Sequence, residues 1–116
     1  MNIGIVMKHY DKARLFQEGL ALSGNEVTAY HDAQECIQAL LTARFNGLAL
    51  PHETVLVDID LGAGIDGAEM IRRIRQCIPK EELQFIVMTG RSARENTLVS
   101  ENLLDIRTLY NDPALL

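Results

Sequence analysis

Asp58 is the residue of this 116-residue chain best placed to do chemistry. It closes the apolar run Thr54 to Val57, so a strand would present its carboxylate at the carboxyl end, either as a nucleophile or as a cap on the following turn. Taken alone, a strand-end aspartate usually plays the capping part. Asp60 and Asp66 follow in the same segment. The run Phe85 to Met88 ends at Thr89 and Gly90, which puts a hydroxyl donor at a second strand end. The run Ile3 to Val6 ends instead at Met7 and Lys8, a soft neutral thioether and an ammonium. Neither ligates a hard cation, which wants oxygen.

Other reactive groups carry less. His9 and His31 fall at the ends of the first and second candidate strands and could flank an acidic pocket, while His52 stands apart. Lone histidines are more often loop or surface residues, and no metal site is expected from them. Cys36 and Cys77 lie in separate helical patterns without CxxC spacing and read as small core residues. Gly62-Ala63-Gly64 lacks the spacing of a phosphate-cradling loop and reads as room for a turn.

To position these groups the chain alternates strand and helix. Strand candidates are Ile3 to Val6, Glu26 to Tyr30, Thr54 to Val57, Phe85 to Met88 and Ile106 to Tyr110. Helix starts are expected at Asp11, ahead of Phe16 and Leu20, and at the capping-box pairs Asp32 with Glu35, Asp66 with Glu69 and Ser92 with Glu95. Gly24 is a helix stop, and 46–52 reads as a surface loop. Continuous apolar strands suit a parallel sheet covered on both faces. The alternation specifies a doubly wound α/β domain with ligands at the strands' carboxyl ends. Asp112 and Pro113 open a last helix that has only Ala114, Leu115 and Leu116 left to build it. Residues 1–116 are therefore read as one domain with that helix truncated or absent: a fragment, or else a sheet surface covered by a partner.

With 47% hydrophobic and 23% charged residues the composition is that of an ordinary globular domain. The formal net charge of −5 argues against broad nucleic-acid binding. The one basic cluster, Arg72, Arg73 and Arg75, is expected on a solvated helix face. No apolar run is long enough for a membrane span, and the start has no signal-peptide shape, so a cytoplasmic location is expected.

The segment Val55-Leu-Val-Asp58-Ile-Asp60-Leu-Gly-Ala-Gly-Ile-Asp66-Gly67-Ala-Glu69 resembles the third strand, loop and third helix of response-regulator receiver domains. Phe85-Ile-Val-Met-Thr89-Gly90 resembles their fourth strand. The resemblance runs in the right order over nearly the whole chain. It implies a five-stranded parallel sheet in the flavodoxin-like order 2-1-3-4-5, Asp58 as phosphoacceptor, and Thr89 donating to a phosphoryl oxygen.

Departures from the family define the functional expectation. Met7 and Lys8 stand where the resemblance calls for an acidic pair that helps bind Mg²⁺, so metal binding should be severely weakened. The family's lysine after the fifth strand is replaced by Asn111 or Asp112, depending on register, and its aromatic switch by Thr108 or Leu109. Lys8 could supply the missing charge if its ammonium reached Asp58. Pointing to solvent, it would contribute only about 0–1 kcal/mol. The first reading is a noncatalytic pseudo-receiver needing no cofactor and acting through protein contacts, with a histidine kinase or an effector domain as partner. The fourth helix, fifth strand and terminal-helix region, or the pocket mouth, would be the contact surface. An uncovered apolar face would also favour a homodimer. The alternative is a working receiver, phosphorylated on Asp58, with Mg²⁺ held by Asp60, Asp66 or a backbone carbonyl. A small α/β enzyme or nucleotide binder is a third reading, without a convincing nucleophile–base pair to support it.

Overall fold

Four of the apolar segments become parallel strands: β1 (Asn2–Val6), β2 (Glu26–Tyr30), β3 (Thr54–Val57) and β4 (Gln84–Val87). A computed structural model describes residues 1–58, 61 and 64–87 of the chain. Within them the strand order is β2-β1-β3-β4. The expected fifth strand at Ile106 to Tyr110, the helix start at Ser92 and the segment opening at Asp112 lie outside the described residues. Helices α1 (Tyr10–Leu22), α2 (Ala33–Phe45) and α3 (Gly67–Arg75) connect the strands.

Alternation along the strands sorts side chains to two faces. Ile3, Ile5 and Met7 pack with Leu56, Ala13 and Phe16 on the α1 side. Val6, Val55, Val57, Phe85 and Val87 pack with Cys36, Ile37, Leu40, Ile71 and Ile74 on the α2–α3 side. The two layers explain why β1 and β3 are apolar almost throughout. By contrast β2 is mostly exposed, because among the described residues it pairs only with β1 and lies at the sheet edge. Its polar Glu26 and Thr28 fit an edge position, and the expectation of a fully covered strand fails there.

Helix boundaries follow local chemistry. Asp32 and Asp66 cap α2 and α3 by accepting the backbone N–H groups of Glu35 and Glu69, at 2.9 and 2.8 Å. Helix α1 differs from expectation: it starts at Tyr10 with His9 in the cap position and no side-chain cap, and Asp11 lies inside the first turn. Gly24 follows its C-cap with φ of 90°, a conformation that favours glycine. No helix among the described residues is long and apolar enough to cross a membrane.

Two polar side chains depart from their expected surface positions. Arg75 is half-buried, its guanidinium carbon 4.6 Å from the centre of the Phe85 ring. Burial brings its pKa down to about 10, against the opposing effect of Glu81. Of the basic cluster, Arg73 is exposed and Arg72 and Arg75 are intermediate. His52, at the end of the 46–52 loop, is buried over the bare backbone of Gly4, and its Nε2 shares a hydrogen bond with the Tyr30 hydroxyl. Its Nδ1 has no hydrogen-bond partner among the described residues.

Burial holds the His52 pKa below its ordinary 6.5, because removal from water disfavours the charged ring. The unfolded chain therefore takes up this proton more readily than the folded one. The contribution to stability is complete above pH 6.5 and is lost as pH falls from there toward the depressed folded value. Urea midpoints should drop between pH 7.5 and 5.5 in the native protein and drop less in His52→Leu. Parallel pH profiles for the two would show that His52 is not the responsible group.

Candidate functional site

The connections diverge at β1 and β3. From β1 the chain moves outward to β2 by way of α1 on one face, and from β3 outward to β4 by way of α3 on the other. The carboxyl ends of these two neighbours form the crevice in which open α/β sheets bind ligands. The Asp58 N–H donates to the carbonyl of Val6 at 3.0 Å, prolonging the ladder by one step and fixing the aspartate beside the end of β1.

Only 4% of Asp58 is exposed, and both its carboxylate oxygens are engaged. Oδ2 accepts the backbone N–H of Lys8 at 3.3 Å. Oδ1 lies 3.7 Å from the ammonium of Lys12, the third residue of α1. The Lys12 side chain is 33% exposed, intermediate between core and water.

This arrangement corrects the expectation for Lys8. Its amide reaches Asp58, but its side chain is exposed, and the ammonium beside the carboxylate belongs to Lys12. Helix geometry is the signal in the sequence that points to Lys12. Side chains on a helix lean toward its N-terminus, so a lysine in the first turn of α1 is aimed back at the strand ends. Met7 is 5% exposed and packs in the α1-side core while edging an open cleft of about 400 Å³. Lys8, His31, Asp32, Gln34 and Gly64 line the same cleft.

The remaining candidates divide cleanly. Asp66 commits Oδ1 to the α3 cap. Asp60, Thr89, Asn111 and Asp112 lie outside the described residues. His31 is exposed and pairs with Glu35 at 3.2 Å, His9 is exposed at the start of α1, and His52 is buried against Gly4 and Tyr30. The histidines do not converge, and no group of three potential metal-binding side chains exists among the described residues. Cys36 is fully buried, with its thiol pushed up to about 12 by burial and by Glu35, while Cys77 is half-buried. Neither is poised as a nucleophile, since the reactive form is the thiolate.

A hard divalent ion at Asp58 would need several oxygen ligands. The described groups facing that carboxylate are an N–H and an ammonium, both hydrogen donors, and they do not fit such an ion.

No family model and no curated relative matches the chain. Solved structures do. A two-component response regulator from Clostridium difficile matches with a TM-score of 0.71 and 18% identity, over 97% of this chain and 84% of that one. The chemotaxis protein CheY4 of Vibrio cholerae matches at 0.72 and 14%, over 97% and 86%. A structure described as adenylate cyclase from Rhodopirellula baltica matches at 0.73 and 20%, over 97% and 76%. Across such matches the chain spans from 61% to 86% of the other chain's length. The chain thus has the flavodoxin-like α/β fold of receiver domains, as the motif order around Asp58 led one to expect.

Proposed function

We propose that the chain is a receiver-type signalling module that works by protein contact in the cytoplasm, with metal-dependent phosphoryl transfer to Asp58 lost or weakened. The receiver fold supports the signalling part of this reading, and one observation carries the rest. The carboxylate that would attack phosphorus is nearly inaccessible, with each oxygen facing a donor supplied by β1–α1. A nucleophile held this way must lose its partners before reacting, and no group of three Asp, Glu, His or Cys side chains that could hold a metal exists among the described residues. In this reading the domain needs no cofactor, catalyses nothing, and meets a histidine kinase or an effector domain as a partner surface.

Incubation with acetyl phosphate and Mg²⁺, followed by intact mass measurement, tests the proposal. The native chain should show no phosphoryl adduct under conditions that label an ordinary receiver. A stable adduct that disappears in Asp58→Asn would overturn it in favour of a working receiver.

A further inference from the structure

Lysine is an unexpected choice at the third position of α1. The first turn of a helix carries the positive end of its dipole, where a cation is unfavourable and a carboxylate helps. This helix start also lacks a side-chain cap to offset the mismatch. The placement is accounted for by what the ammonium faces, the Oδ1 atom of Asp58 at 3.7 Å. The backbone of Lys8 occupies the other oxygen at 3.3 Å. Asp58 is thereby supplied with both a positive charge and hydrogen donors from within the chain.

We propose that Lys12 is the specificity-determining residue of the Asp58 site: its ammonium takes the place beside the carboxylate that an external cation would need, and selects against divalent metal ions. The inference rests on reading Asp58 as a receiver-type strand-end carboxylate. A divalent ion in contact with Oδ1 would stand within a few ångströms of Nζ, and like charges that close repel strongly in a partly shielded site. The ion can enter only if Lys12 swings away. Because the lysine side chain is already 33% exposed, that movement is open to it, so exclusion is a matter of affinity and not of an impassable barrier. Removing the ammonium should therefore reveal whatever oxygen ligation the site retains.

The probe is Mn²⁺, titrated against the full chain while paramagnetic broadening of the Lys8 and Asp58 amide signals is followed by NMR. Lys12→Gln should bind at least about tenfold more tightly than the native chain, the scale expected for removing one like charge at this distance. Lys12→Arg, which keeps the charge, should bind as weakly as the native chain. Adding Asp58→Asn to Lys12→Gln should abolish the gain. Circular dichroism melts establish that each variant is folded, and Lys12→Met, which keeps the aliphatic stem, replaces Lys12→Gln should the latter be unstable. Equal Mn²⁺ affinity in the native and charge-free folded variants overturns the inference. So does a gain that survives Asp58→Asn. A phosphoryl adduct on the native chain would overturn the functional reading above while leaving this comparison between variants intact.

Discussion

Phe85→Ala is expected to lower stability by about 3–5 kcal/mol, the range for deleting a fully buried phenyl ring. Phe85 has no exposed surface and sits in β4 on the α2–α3 side, against the core that Ile71, Ile74 and Val87 share. Its ring also carries the half-buried guanidinium of Arg75, a contact worth roughly 0.5–2 kcal/mol in comparable settings. Truncation thus opens a cavity and removes the ring that the Arg75 guanidinium faces. Against a typical total of about 5–15 kcal/mol, the loss would leave the domain close to unfolding. Urea denaturation followed by far-ultraviolet circular dichroism measures it, with Phe85→Leu as the milder control. A loss under about 1 kcal/mol, below the range for such truncations, would mean that the ring is not packed as described.

The second large effect lies at Gly4. A Cβ built there would come 3.0 Å from His52 Cδ2 and 3.2 Å from Nε2, so the ring would have to give by a few tenths of an ångström. Glycine is required here by the flat approach of an imidazole to the strand, with no demand on backbone angles. Gly4→Val should cost about 1–3 kcal/mol through overpacking. A displaced ring would also surrender its bond to Tyr30, whose own pKa burial pushes up to about 12, with Cys36 and Glu35 adding to the rise. A buried hydroxyl left without its partner adds about 1–3 kcal/mol more. The signature is coupling: Gly4→Ala and His52→Ala combined should cost less than the sum of the two, by about 1 kcal/mol or more. Strict additivity in denaturant unfolding would refute the contact.

Both sites illustrate what sequence reasoning can and cannot reach. The strands were legible because runs such as Thr54 to Val57 are apolar on consecutive positions, which only a doubly covered strand tolerates. The Asp32 and Asp66 caps were legible because a bond to the third residue onward is written within a few positions. Lys12 is not legible in the local sequence pattern because its partner lies 46 positions away past the end of β3, and because Lys8, adjacent to the strand end, is the more obvious source of charge. His52 belongs to a loop whose composition signals exposure, and only the gap above Gly4 makes its burial possible. Arg75 sits in a run of arginines that reads as solvated, and the aromatic ring that draws it inward lies on β4. In each case local pattern established the element, while the decisive contact joined residues distant in the chain.

The central position of β1 bears on biosynthesis. Ile3 is paired with Val27 on one side and Thr54 on the other, so β1 is synthesised before both of its neighbours and meets β3 only after β2. At roughly 5–20 residues per second, several seconds separate the emergence of those segments. Throughout that interval one edge of the Ile-Gly-Ile-Val stretch lacks its partner strand, and an open strand edge is the kind of surface that invites pairing with another chain.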